Sequence, residues 1–382
     1  MRIVVDSLPL LGEAGIGTYL RDLLAHLAMA GNGYDFRLWF RGFRSETRKR
    51  ACNLLSDPAF AAFDSQIAWV PNRVLEWCWT HHSLHIPFTE VWLGQPDLFL
   101  STVYVTPVLR GPAIVVIAYD LIGARFPQLY GNESMMKLRI RRSIERADAI
   151  IAISECTKKD FVELMNADPN RIHVVYPGID SRFGPPANET ERKRVLTRYG
   201  LDHPYLLYVG SLGPHKNVST LIRVFRRLKQ RGRIPHQLVL CGPTRWGPEV
   251  IKSAHDLIEA HDCKLLEYIP SSDVPYLYHG AEGFAFLSLY EGFGMPPLEA
   301  MASGVPVVVS NAGSLPEVVG DAGLLVSPTD EEAVEEAIFR VLTDSGLRTE
   351  LRVRGYRQAA RFSWPEAARQ TLNVFAQVCK SS

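Results

Sequence analysis

The sequence predicts an α/β protein made of two Rossmann-like, doubly wound parallel-sheet domains that face one another across a cleft. Three observations carry that expectation. Short β-branched runs alternate with helix-length amphipathic segments almost throughout the 382 residues, the pattern of parallel strands joined by crossover helices. The alternation pauses at 177–188, rich in Pro and Gly, and restarts cleanly beyond it. The length itself is a prior for two or three domains, each able to bury a substantial core. The expected organisation is an N-terminal domain over 1–180, a linker over 181–200, a second domain over 201–361 and a terminal helix over 362–382.

Each element has its own signal. Strands are expected in the first half at 3–5, 36–40, 67–70, 98–101, 114–118, 149–153 and 172–176, all short apolar or β-branched runs. Helical periodicity marks 18–30, 135–146 and 157–165 between them. The second half gives strands at 206–209, 238–241, 265–268, 284–287, 307–309 and 324–326. Thr329 and Glu332 make a capping box for a helix running through Leu342. The tail from Phe362 to Val378 is an amphipathic helix.

Bulk properties remove several classes of function. A formal net charge of +1 supplies no field that would predict nucleic-acid binding. The six cysteines are scattered without a C-x-x-C pair, which speaks against a zinc site or disulfide framework and fits a reducing compartment. The amino terminus reads as a first strand rather than a signal peptide, and no apolar run reaches the ~18 residues of a membrane span. The expected location is cytoplasmic, with room for peripheral contact at the inner face of a membrane.

The chemistry concentrates in the stretch S-L-Y-E-G-F-G-M-P-P-L-E-A-M-A, from Ser288 to Ala302. An apolar strand precedes it, and Leu298, Met301 and Ala302 give a helix face beyond the turn. This strand–turn–helix places Glu291 and Glu299 at the carboxyl edge of a parallel sheet, where open α/β sheets bind ligands. Gly292, Phe293 and Gly294 offer backbone N–H groups at the mouth of the helix, suited to hydroxyls or an anion. Lys216, in G-P-H-K-N, lies between a strand and a helix, positioned for a phosphate. Near the amino end, a turn with Gly15 and Gly17 follows the first strand and opens a helix; it does not match a G-x-G-x-x-G dinucleotide fingerprint.

Taken together, E-G-F-G-x-P-x-x-E-A-M-A, G-I-G-T-Y-L, A-I-S-E-C-T, Y-P-G-I-D, Y-V-G-S-L-G-P-H-K-N and G-V-P-V-V-V-S-N-A-G-S-L-P-E-V resemble, in order, retaining glycosyltransferases of family 4. Those enzymes have the GT-B fold, and the closest likeness is to bacterial mannosyltransferase-like members that build polysaccharides and O-antigens. The resemblance implies that Glu299 takes the ribose hydroxyls of a nucleotide-sugar donor. Glu291, with the Gly292, Phe293 and Gly294 N–H groups, would contact the transferred sugar. Lys216 would hold the diphosphate, and the Gly15–Gly17 turn would approach it. The terminal helix would return to the first domain. The implied reaction moves a hexose, mannose first, from a GDP- or UDP-sugar to a glycan or lipid-linked glycan, with retention and without a metal or other cofactor; no Asp-x-Asp motif is present.

Two positions depart from the family pattern. Ser211 stands where many relatives carry Arg, which leaves Lys216 with more of the phosphate charge, helped by His215 or Arg245. Tyr119, before Asp120, stands where a His is usual. A tyrosine there can position a hydroxyl but does not titrate near neutral pH. Asp120 would hold a sugar hydroxyl or orient the following loop. His81, His82 and His85 lack a supporting carboxylate pattern for a metal. Arg41, Arg44, Arg48, Lys49 and Arg50, with Trp77 and Trp79 downstream, are candidates for contact with an anionic membrane. A sugar-nucleotide epimerase or hydrolase, or an inactive binding relative, are the rival readings. The first would need a titratable residue where Tyr119 stands; the second would have lost Lys216, Glu291 or Glu299.

Overall fold

A computed structural model describes residues 1–381 except 13–14, 32, 43–44, 61–62, 69, 71, 83, 87–88, 131–132, 186–187 and 244–247. Arg44 and Arg245 lie outside the described residues. The chain forms two compact units, Met1–Gly178 with Ser363–Ser382, and Ile179–Phe362.

The first unit holds a seven-stranded sheet of β1 (Arg2–Asp6), β2 (Asp35–Arg41), β3 (Asp64–Ala68), β4 (Leu98–Ser101), β5 (Ala113–Ala118), β6 (Ala149–Ala152) and β7 (Ile172–Val174). Its order is β3-β2-β1-β4-β5-β6-β7 and every described pairing is parallel. The central strands β4, β5 and β6 are buried at every residue. Helices cover both faces of such a sheet, which is why the sequence shows continuous apolar runs rather than alternation. Helix Trp364–Ser381 belongs to this unit and packs along helix Gly15–Ala30. Trp364 sets its indole against Tyr19 at 5.5 Å. The chain crosses itself closely here: a Cβ at Gly178 would lie 2.0 Å from the Trp364 nitrogen.

The second unit has a six-stranded sheet of β8 (Tyr205–Val209), β9 (Gln237–Cys241), β10 (Cys263–Leu266), β11 (Gly283–Phe286), β12 (Val307–Ser310) and β13 (Gly323–Val326). The order is β10-β9-β8-β11-β12-β13, again parallel. Strand order reverses between β1 and β4 in one sheet and between β8 and β11 in the other. At such a switch point the loops leaving the two strands part in opposite directions and open a crevice. Helix Val218–Gln230 buries Val218, Leu221, Ile222, Val224, Phe225 and Leu228 on one side. Its other side carries Arg223 and Arg227, both paired with Glu331.

Two local expectations are corrected. Residues 181–200, expected as a linker, lie in the second unit and contain helix Glu189–Arg198. The Asn188 side chain caps that helix by accepting from the Glu191 N–H at 3.0 Å. Arg192 and Arg198 tie it to the His279 carbonyl and to Asp273. Val195 is its buried residue, too thin an apolar stripe to read as a helix from sequence. The helix over Glu331–Thr343 is capped by Asp330, which accepts from the Ala333 N–H at 3.0 Å, so Thr329 is one residue outside the cap. Aspartate is as good a cap as threonine, and here it stands next to the first helical residue.

Among the described residues no helix is long and apolar enough to cross a membrane.

Candidate functional site

Lys216 and Glu291 leave the carboxyl ends of β8 and β11, the two strands that flank the switch point of the second sheet. After β8 the chain passes Gly210, at φ +150°, and a 3-10 turn over Pro214–Lys216. A Cβ at Gly242, itself at φ +147°, would lie 2.0 Å from the Gly210 carbonyl oxygen, so the ends of β8 and β9 meet without side chains between them. Asn217, left-handed at φ +54°, then starts helix Val218–Gln230. Its amide donates to the Pro328 carbonyl at 2.9 Å and fixes where the turn delivers Lys216.

The two charged groups meet. Lys216 Nζ donates to Glu291 Oε1 at 2.7 Å, with only 15% and 13% of the side chains exposed. The ammonium also stands 5.2 Å from the centre of the Phe286 ring, within range of its negative face. His215 next to it has its pKa lowered to about 4, by burial first and by Lys216 second. It is therefore neutral near pH 7 and does not share the positive charge, contrary to the expectation from sequence. Ser211 is half-buried, and its carbonyl accepts from the Tyr208 hydroxyl at 2.7 Å.

The Glu291 turn is gripped from β12. The Ser314 hydroxyl lies 3.0 Å from the Glu291 carbonyl and 2.6 Å from that of Phe293, and the Ser314 N–H donates to the Glu291 carbonyl at 3.2 Å. Gly313, at φ +60°, lets the two segments touch: a Cβ there would sit 2.7 Å from the Glu291 nitrogen. Gly292, Phe293 and Gly294 are buried rather than open. Gly294, at φ +107°, begins helix Met295–Ala302. Glu299 rides on that helix, half-buried, and its Oε2 accepts from the Tyr278 hydroxyl at 2.8 Å.

Beneath these groups runs a row of rings. Tyr278 contacts Phe284 at 5.6 Å, Phe284 stacks on Phe286 at 6.0 Å, and Phe286 stacks on Tyr208 at 5.8 Å. An apolar floor of this kind keeps water from one side of the carboxylates and the ammonium, and strengthens their electrostatics. Sequence reading found Lys216, Glu291 and Glu299 but not Gly313, Ser314 or Tyr278. The signal for the first two was the Gly-Ser after strand β12; Tyr278 carried none.

In the first unit, Tyr119 follows β5 and is buried, 6% exposed. Its ring meets Tyr19 edge-on at 5.4 Å, and its hydroxyl has no hydrogen-bond partner among the described residues. Burial drives that phenol well above its ordinary pKa, so it stays protonated. Asp120 accepts from the Ile122 N–H at 3.0 Å, which orients the following turn. Gly15 opens its helix with free space around its α-carbon, whereas Gly17 is buried and a Cβ there would lie 2.7 Å from the carbonyl oxygens of Pro9 and Gly12. The close approach at Gly17 is to the protein's own backbone.

The basic run divides. Arg41 is fully buried, paired with Asp6 at 2.9 Å, and lies 5.4 and 5.7 Å from the Trp39 and Trp79 rings, so it is not available to a membrane. Trp79 is buried as well, while Trp77 is 53% exposed. His85 pairs with Glu90 at 2.7 Å, and His82 packs on Trp77. Among the described residues no group of three or more His, Cys, Asp or Glu could hold a metal ion.

Two doubly wound parallel-sheet units are thus in place, the second with Lys216, Glu291 and Glu299 beyond the carboxyl ends of the strands at its switch point. The model for Glycosyltransferase Family 4 matches residues 14–183, and that for Glycosyl transferases group 1 matches residues 190–358. The chain is 36% identical over 372 residues to the O-antigen chain mannosyltransferase B of Escherichia coli, covering 94% of this chain and 95% of that one. It is 28% identical over 277 residues to the serotype-specific mannosyltransferase WbdA of Escherichia coli, and that match spans only 34% of the longer protein. Among solved structures, Anabaena HepE in complex with UDP and glucose is similar with a TM-score of 0.75 at 16% identity, over 99% of this chain and 100% of that one. WaaG, a glycosyltransferase involved in lipopolysaccharide biosynthesis, gives 0.72 at 16% identity, over 98% and 99%. At those identities the likeness is one of fold. This chain belongs to glycosyltransferase family 4 and has the GT-B fold.

Proposed function

We propose that the protein transfers a hexose, mannose in the first instance, from a nucleoside-diphosphate sugar to a hydroxyl of a glycan or lipid-linked glycan, with retention at the anomeric carbon. The observation that carries this reading is the 2.7 Å pair of Lys216 and Glu291 at the switch point, with Glu299 on the adjoining helix. Departure of a nucleoside diphosphate builds negative charge on its phosphate, and Lys216 is the cation to meet it. Glu291 would accept from hydroxyls of the transferred sugar, and Glu299 from the ribose diol. Mannose and O-antigen-type assembly are supported by the relative that is 36% identical, an O-antigen chain mannosyltransferase. In this reading the first unit takes the acceptor, and buried Tyr119 supports its neighbours by packing and position rather than by exchanging a proton.

The direct test is thermal unfolding with GDP, UDP, ADP and TDP, with and without magnesium. A nucleotide at ~100 times its Kd should stabilise the protein by about 2.7 kcal/mol. We expect one base to give a shift that magnesium leaves unchanged and Glu299→Ala removes. The absence of any shift would reject donor binding by the free protein.

The proposal extends to peripheral membrane contact, supported by exposed Arg48, Lys49, Val74 and Trp77. Co-sedimentation with anionic vesicles, weakened by Lys49→Glu and Trp77→Ala, is the expected result. Equal recovery on neutral and anionic vesicles would count against it.

A further inference from the structure

We infer that Asn217 is a positioning residue for Lys216, and that its amide, through a closed ring of hydrogen bonds with the start of helix Glu331–Thr343, sets how tightly the site holds a nucleoside diphosphate. The inference rests on the proposed phosphate role of Lys216. Asn217 stands at φ +54° and starts helix Val218–Gln230. Glycine takes that backbone shape with the least strain, so an asparagine there calls for a use of its side chain. At a helix start that use is ordinarily to accept from the first free N–H groups of the helix. The Asn217 side chain makes no such bond.

Its Nδ2 donates instead to the Pro328 carbonyl at 2.9 Å, and its Oδ1 accepts from the Thr220 hydroxyl at 2.8 Å. The same hydroxyl accepts from Arg223 Nη2 at 2.9 Å, and Arg223 Nε donates to Glu331 Oε1 at 2.9 Å. Pro328 and Glu331 lie in one short segment, the start of helix Glu331–Thr343, so the ring closes. Thr220, at its centre, is 4% exposed and keeps water from competing there.

The turn that carries Lys216 has two other ties. The Lys216 N–H donates to the Gly213 carbonyl at 2.9 Å, within the turn, and the Leu289 N–H donates to the His215 carbonyl at 2.7 Å. Glu291 meets the ammonium itself at 2.7 Å. The ring adds the tie to helix Glu331–Thr343, directly after the lysine. Opening it shifts the base of the lysine side chain without releasing it, so the loss is that of about one hydrogen bond and no more.

Calorimetric titration of the whole chain with GDP, UDP, ADP and TDP tests this as a double-mutant cycle. Asn217→Gly keeps the left-handed turn and removes the amide. It should weaken the nucleotide that binds by about 3- to 10-fold, the worth of one hydrogen bond. Thr220→Val opens the ring while leaving Asn217 in place, and should weaken the same nucleotide by about threefold. In a Lys216→Ala background each of the two changes should alter affinity by less than about twofold, because the group they position is gone. Melting curves establish that each variant is folded; where one is not, the other carries the same cycle.

Parental affinity in either single variant overturns the inference and leaves Asn217 as a turn-former. Equal losses with and without Lys216 overturn it as well, since the effect then runs through the fold and not through the lysine. Both results leave the donor site standing if Lys216→Ala by itself weakens binding. Parental affinity in Lys216→Ala removes the phosphate role of the lysine and the inference with it. A parent protein that binds none of the four overturns the proposed donor site itself.

Discussion

Replacing Lys216 by alanine is expected to slow sugar transfer by about 10²- to 10³-fold, the usual cost of removing one group aimed at developing charge. Two losses combine. The leaving diphosphate loses its cation, and Glu291 loses the partner that held it at 2.7 Å. A carboxylate only 13% exposed, left unpaired beside a phosphate, repels it. The second loss can be separated from the first. Lys216→Ala combined with Glu291→Gln should bind nucleoside diphosphate more tightly than Lys216→Ala alone, while transfer stays low in both. Glu291→Gln alone should release Lys216 to the phosphate, holding or improving nucleotide affinity as turnover collapses. Calorimetry and initial rates with a radiolabelled donor read both quantities. Transfer by Lys216→Ala within threefold of the parent protein would remove the lysine from the mechanism.

Gly313→Ala should be the second most damaging change, although residue 313 carries no side chain and no charge. The residue sits at φ +60°, and a methyl group there would come within 2.7 and 2.8 Å of the Glu291 nitrogen and oxygen. Both atoms are backbone, so the clash cannot be relieved by rotating a side chain. Left-handed strain and overpacking each cost about 1–3 kcal/mol. Relief by moving the turn would displace Glu291 from Lys216. The expected result is a lower melting temperature together with a loss of transfer much larger than the stability change explains. Ser314→Ala, which removes one hydroxyl from the same grip, should lower transfer less and stability by about 1 kcal/mol. A fully active Gly313→Ala protein would show that the turn has slack the geometry does not suggest.

The strands were readable because each is a short apolar run closed by Gly, Pro or a polar cluster. All of those expected have counterparts within a few residues. The run at 265–268 shows the limit: the strand is Cys263–Leu266, and Tyr268 is 74% exposed. Its apolar character marks a surface and not a continuation of the sheet. The positions of Lys216 and Glu291 were legible because charged residues between a strand and a helix have a fixed place at a sheet edge, and that of Glu299 because it lies on the helix that the same turn opens. Their supports were not. Tyr278 acts across elements that are 21 residues apart in sequence, with no spacing rule to join them. Arg41 misled because a run of basic residues reads as surface, and only the fold reveals that Asp6 and two tryptophans enclose it. His215 misled for the same reason, since burial and not composition decides its charge.

The course of the chain has a consequence for how the molecule is made. Helix Trp364–Ser381 is a structural part of the unit that begins at Met1, and the whole of Ile179–Phe362 is translated between them. At about 5–20 residues per second, the first sheet waits roughly 10–40 s on the ribosome before the helix that packs on Gly15–Ala30 emerges. Tyr19 and its neighbours spend that interval without their indole partner, whereas the second unit can complete its sheet as soon as it clears the exit tunnel. The order of maturation is therefore the reverse of the order of synthesis: the half made first is finished last.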